Sequence, residues 1–271
     1  MQPEDLERID AAPVVETPYE PVAPELHIPP PVFTPPEETR EPFWDYFDLL
    51  TIAGLGFAAW LVINLSAAGW LYFHKDLGKD LTPLLMPLQY VAYALIYLCF
   101  YCVFKFKYDR PVFRSLGLVK TGHSLFAAGL GGVLLAFGIG IVANFIHTPK
   151  VETPFDELGK TPLSMALLAL TAIVAAPLIE EMVFRGFLQP LLSRTFGTAV
   201  GILITALLFG GLHATEYQKA WQYVAAISIV GIALGVLRAK TKSILPGTVM
   251  HGCFNAVSVV GLLVTKFSPH K

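Results

Sequence analysis

Charge is what this chain has least of. Asp, Glu, Lys and Arg make up 15% of its 271 residues, against about 25% in soluble domains. Cysteine is also rare. Cys99, Cys102 and Cys253 all fall inside apolar runs, so they read as buried thiols rather than as a redox or metal centre. No Walker loop and no His-Glu-x-x-His pair occurs, and no basic-aromatic face points to nucleic acid. The N-terminal residues lack the basic and apolar regions of a signal peptide, which leaves the first apolar run as the expected insertion signal.

What is abundant is apolar residue, at 54% of the chain with a mean hydropathy of +0.58. It is unevenly spread. Residues 1–42 hold eleven of the 21 prolines and ten of the 21 acidic residues, with Arg8 and Arg40 as the basic ones. Such a segment cannot bury enough apolar surface to offset its ordering entropy, so a disordered acidic tail is expected there. Beyond it, residues 43–271 read as an all-α, polytopic transmembrane bundle. Runs able to cross about 30 Å of hydrocarbon recur near 49–73, 84–104, 124–146, 163–189, 198–214, 221–237 and 244–265. That makes about seven spans. The fourth exceeds what a bilayer requires and contains Pro177, which predicts a kink.

Lys and Arg set the expected orientation. With seven spans, the blocks at 105–120 and 238–242 fall on one side with the N-terminus, twelve basic residues against seven on the other. The N-terminus is therefore expected in the cytoplasm, and the short loops suit a bacterial inner membrane. A short interfacial piece is expected near Phe113 to Lys120.

Polar groups inside the spans carry the chemistry. A charge at the bilayer centre costs about 2.5–3.5 kcal/mol on insertion scales, so its presence calls for a partner or a task. The fourth run contains Glu180, Glu181 and Arg185. On a helix Glu181 reaches Arg185 four residues on, while Glu180 points about 100° away and is left to face a cavity. A plain helix-end charge cluster is the alternative. The fifth run ends Phe209-Gly210-Gly211-Leu212-His213, where the paired glycines allow another backbone or a substrate to approach. With a hairpin turn at 195–197, Glu180 and His213 lie at matching depth. The last run carries His251 and Asn255 on one face, although buried His and Asn also serve as interhelical glue. His251 lies only about 12 Å along the helix from Ser243, so convergence with the other clusters requires the fourth helix to tilt or project. Two carboxylates, two imidazoles and a carboxamide are parts of a water-activating hydrolase. They are also parts of a proton relay in a carrier, though the inverted repeat common in carriers is not found.

The ordered series Glu-Glu-x-x-x-Arg, Phe-x-x-x-His and His-x-x-x-Asn, with Phe184-Arg185-Gly186 and Ser243-Ile244-Leu245-Pro246 beside it, resembles the CAAX prenyl protease and bacteriocin-processing family of intramembrane proteases. The likeness covers about 163–256. It implies an endopeptidase that cuts a membrane-associated or lipidated peptide, with the bilayer as its setting. Glu180 would activate water with help from His213. His251 and Asn255 would stabilise the oxyanion, and Glu181 with Arg185 would hold the acidic helix. A cavity open to the cytoplasm is expected. Glu180, His213 and His251 would be the ligands if zinc took part. Zinc and a metal-free, glutamate-activated water both remain open, and the missing His-Glu-x-x-His pair inclines the reading toward the second. A silent scaffold or immunity protein of the same fold is the third alternative.

Overall fold

The computed structural model describes residues 41–73, 82–149, 151 and 161–267. Residues 1–40 of the expected acidic tail therefore lie outside the described residues, and its last two, Glu41 and Pro42, lie within them. Every described element is helical. They are α1 (Tyr46–Phe73), α2 (Thr82–Cys102, continued by a wide turn at Val103–Lys107), α3 (Val112–Ser115), α4 (Leu125–Phe145), α5 (Pro162–Phe196), α6 (Thr198–Leu212), α7 (Trp221–Thr241) and α8 (Leu245–Phe267).

Helices form at all seven expected apolar runs. Six are long and apolar enough to cross a membrane by length and composition. The other, α6, has 15 residues and spans about 22 Å. The expected interfacial piece is instead a single turn, α3, followed by the fully buried Leu116. Val112 and Leu116 are buried in the bundle, while Phe113 stays exposed.

Local chemistry sets the ends. The Ser124 side chain accepts from the Ala127 N–H at 3.2 Å to open α4, and Thr161 does the same for Ser164 at 3.1 Å ahead of α5, with Pro162 next. These are N-cap bonds that satisfy otherwise orphaned amides. Gly197, at φ +83°, makes the turn between α5 and α6, where the hairpin was expected. Lys242, left-handed at φ 56°, ends α7.

Helix α5 is 35 residues long and is interrupted by two wide turns, Thr171–Ala175 and Met182–Leu188, which close hydrogen bonds one residue further on than an α-helix does. Pro177 lies between them. The bundle closes around α5, with α4 against α8 and α6 against α7. Small residues permit this. A Cβ on Gly132 of α4 would sit 2.1 Å from the Met250 carbonyl oxygen of α8, and one on Gly210 would sit 2.6 Å from the Val224 carbonyl oxygen of α7. Nothing approaches Gly211 so closely, so only one of the paired glycines marks a helix contact. Phe126 and Phe145 of α4 and Phe57 of α1 point outward, as lipid-facing positions should.

The end of the bundle carrying the basic loops is sealed. Trp44 stacks on Phe104 and Phe187 at 5.3 and 5.5 Å and donates its indole N–H to the Phe187 carbonyl at 3.1 Å. Phe100, Leu116, Leu191 and Ile244 fill the rest of that core. Asp48, almost fully buried, takes Lys107 at 2.6 Å and the Tyr108 hydroxyl at 2.5 Å. Arg194 donates to the Pro42 carbonyl at 2.5 Å, so the chain is built into this plug from Pro42 onward.

Candidate active site

Glu180 and Glu181 sit on the six-residue segment between the two wide turns of α5. They part as the helix geometry requires. Glu181 is fully buried, its Oε1 3.0 Å from Nη1 of the equally buried Arg185. The two groups face each other without hydrogen-bond alignment, so the attraction is of charge. Arg185 also donates from Nη2 to the Gly231 carbonyl at 3.2 Å and lies 4.4 Å from the Phe209 ring centroid. One turn on, Gln189 donates to the Gly235 carbonyl at 2.9 Å. These two donors, four residues apart, clamp α5 to α7. Glu180 is different. Its side chain is 26% exposed and faces the cavity.

His251 stands between the two carboxylates. Its Nε2 is 3.7 Å from Glu180 Oε2 and its Nδ1 is 3.5 Å from Glu181 Oε1. Convergence is achieved by projection. From Glu181, α5 runs 15 residues to Phe196, about 22 Å, while α8 runs only six from Leu245 to His251, about 9 Å. The basic end of α5 therefore projects about 13 Å past the start of α8. Close packing holds the register. A Cβ on Gly252 would meet the Ile173 carbonyl oxygen at 2.4 Å, so α8 rests directly on the wide turn. There Asn255 donates from Nδ2 to the Ala172 carbonyl at 2.8 Å. One amide hydrogen is thereby committed to holding α8 against α5, and the second stays free of that bond.

His213 caps α6 sixteen residues after Gly197, while Glu180 lies seventeen before it, so the two stand at nearly matching depth. Its Nδ1 is 2.8 Å from the Phe209 carbonyl. A carbonyl only accepts, so Nδ1 carries hydrogen, and Nε2 of the neutral ring is left as the acceptor. Phe209 also packs edge-on against His213 and His251, with centroids 5.0 and 5.7 Å apart.

All four expected residues, Glu180, His213, His251 and Asn255, line one cavity of about 1280 Å³. Sequence reasoning missed three contributors. Glu216, three residues after His213, lines the same cavity, and its position on the loop beyond α6 gave no periodic signal. Burial raises its carboxyl above the ordinary range, opposed by His213 and reinforced by Glu180. Tyr93 of α2 lines the cavity as well. Gly247 is the third, since a Cβ there would sit 2.7 Å from Glu181 Oε2. Gly247→Ala should therefore displace the buried carboxylate and cost about 1–3 kcal/mol, read as a lower Tm; an unchanged Tm would show that the carboxylate relaxes freely.

The cavity reaches from the site toward one end of the bundle. Beyond the site its lining includes Gln89 and Tyr93, Leu168, Thr215 to Tyr217, Tyr223, and Ser258, Val259, Gly261 and Leu262. All of these lie toward the bundle end that carries the α6–α7 loop, away from the basic loops. Among the described residues, no three His, Cys, Asp or Glu side chains are grouped to hold a metal ion. The pairing of Glu181 with Arg185 leaves that carboxylate committed to a cation already.

Fold and site together define a multi-pass helical membrane protein with carboxylates, imidazoles and an amide gathered inside the bundle. Residues 162–257 match the model of the Rce1-like type II CAAX prenyl endopeptidases, a likeness confined to that core of the chain. An Escherichia coli protein described as an uncharacterized 24.3 kDa protein is 29% identical over 140 residues, covering 51% of this chain and 61% of the relative. The chain thus spans less than two thirds of that relative's length. No solved structure matches.

Proposed function

We propose that the chain is an intramembrane endopeptidase that hydrolyses a peptide bond of a membrane-associated or lipidated substrate. One observation carries this reading: Glu180, His213, His251 and Asn255, from three helices, line a single cavity inside the core that matches the endopeptidase family. The carrier and scaffold alternatives lack comparable support.

In the proposed reaction, ionised Glu180 takes a proton from water as the oxygen attacks the scissile carbonyl carbon, with His213 Nε2 positioned to accept from the same water. The carbonyl becomes an oxyanion, stabilised by the free Asn255 amide hydrogen and by His251. Collapse breaks the C–N bond, and the proton held by Glu180 passes to the leaving amine. Each step uses only side chains of this chain, so a chelator should leave turnover unchanged.

The test is cleavage of a mixed pool of prenylated and unprenylated peptides by purified protein in liposomes, read by mass, with Glu180→Gln as the comparison. Products absent from the Glu180→Gln sample support the reading. Identical products from both proteins, or no product from folded wild type across the pool, overturn it.

Glu216 adds a preference for substrate charge. Among the described residues the lining holds Glu180 and Glu216 but no Lys or Arg. Peptides with Lys flanking the cut should be cleaved about tenfold faster than those with Asp, about 1.4 kcal/mol in kcat/KM. Glu216→Gln should erase most of that ratio. Because burial raises the Glu216 carboxyl, the group is neutral at low pH. The preference should therefore grow as pH rises through its elevated value; a flat ratio would remove Glu216 from recognition.

A further inference from the structure

Two polar residues of α2 reach the cavity from outside the stretch matched at 162–257. Gln89 and Tyr93 are four residues apart on one face of the helix, and both line the cavity wall with Glu180. The proposed reaction uses neither. Their placement is fixed by the same wide turn that positions the rest of the site. Thr171 Oγ1 donates to the Leu167 carbonyl at 2.8 Å, which commits its one hydrogen. The Tyr90 hydroxyl is therefore the donor in the 3.0 Å bond to Thr171 Oγ1. Tyr90 thus pins α2 to the first residue of the Thr171–Ala175 turn, whose next two carbonyls receive Asn255 and abut Gly252. Tyr93 follows three residues later, its ring edge-on to Tyr90 with centroids 6.4 Å apart. That step of about 4.5 Å carries it toward Glu180, whose charge acts on its hydroxyl.

A hydroxyl both donates and accepts, and a carboxamide offers a carbonyl oxygen and two N–H hydrogens. The Gln89 carboxamide interacts with the Tyr93 hydroxyl, so the pair presents a donor and an acceptor side by side. An extended peptide offers the matching set, since the N–H and C=O of one residue project from the same edge of a strand. A helical peptide does not, because its N–H and C=O groups are spent on one another. We propose that Gln89 and Tyr93 bind the substrate backbone at one residue near the cut, so that the cavity takes its peptide in extended form. The identity of the bound chain rests on the endopeptidase reading; the contact itself rests on the placement of α2. A substrate segment that is helical in the membrane must then unwind before it is cut.

The test uses full-length protein in liposomes and, as probe, the peptide of the mixed pool that Glu180→Gln protein binds most tightly. Tyr93→Phe keeps the ring and removes the hydroxyl. It should raise KM about 3–10-fold, the effect of one hydrogen bond, and leave kcat within about twofold. Each backbone amide of the probe is also replaced by an ester in turn. At one position near the cut the ester should weaken binding by a like factor, and that penalty should vanish in the double variant Gln89→Leu/Tyr93→Phe. The proposal is overturned if every ester penalty persists in the double variant, if Tyr93→Phe lowers kcat with KM unchanged, or if folded protein binds no peptide of the pool. Binding to Glu180→Gln that depends on Gln89 and Tyr93, with no cleavage by wild type, upholds the contact and rejects the endopeptidase reading instead.

Discussion

Glu180→Gln should lower kcat by about 10²–10⁴-fold, the range for losing a positioned general base, with protein yield and Tm close to wild type. The carboxamide keeps the size of the carboxylate but cannot take a proton. Glu180 is the carboxylate to test because of what surrounds it. Glu181 is fully buried against Arg185 at 3.0 Å, while Glu180 keeps 26% exposure on the cavity wall, with His251 Nε2 3.7 Å away. His213→Ala should cost less, since Glu180 still holds the water. The decisive comparison is the same substitution at the neighbour. If Glu181→Gln lost as much turnover as Glu180→Gln at equal Tm, the division of roles between the two carboxylates would be wrong.

The second large effect falls on stability. Arg185→Ala should destabilise the bundle by about 3–5 kcal/mol, the usual result of stripping one partner from a buried ion pair. The loss reaches further than one contact. Glu181 would be left buried with neither carboxylate oxygen hydrogen-bonded, the Gly231 carbonyl would lose a donor, and the Phe209 ring would lose the cation 4.4 Å from its centre. Yield of monodisperse protein and Tm should both fall. Glu181→Gln combined with Arg185→Gln should recover part of the loss, because no charge is then stranded. A Tm for Arg185→Ala equal to wild type would show that the pair does not stabilise the fold.

Much of this was legible from residue order. Apolar runs located the helices, and Gly197 fell where antiparallel pairing of α5 and α6 required a turn. The spacing of Glu181 to Arg185, and of His251 to Asn255, was readable because both pairs lie within one helix. The depth conflict around His251 was readable as a conflict, and projection of α5 resolves it. What could not be read depends on contacts between distant segments. His251 lies between both carboxylates because Gly252 lets α8 rest on the Ile173 carbonyl. The cavity's direction depends on Trp44, Phe104 and Phe187 meeting from three separate elements. No periodicity records either meeting. Glu216 sits in a loop, where burial has no sequence signature.

The wide turn at Thr171–Ala175 has a consequence for helical phase. Leu168, Ala172, Ala176 and Glu180 all line the cavity, each four residues from the last. Steps of four in an ordinary α-helix drift by about 40° each, or about 120° from Leu168 to Glu180, enough to swing the carboxylate off the wall that Leu168 defines. A turn closed one residue later absorbs roughly one residue's rotation, about 100°. The drift shrinks to about 20°, and the four side chains form a nearly straight column. Aim of the carboxylate is thus set by how many residues the helix holds above it, a matter of counting rather than of which side chains they carry.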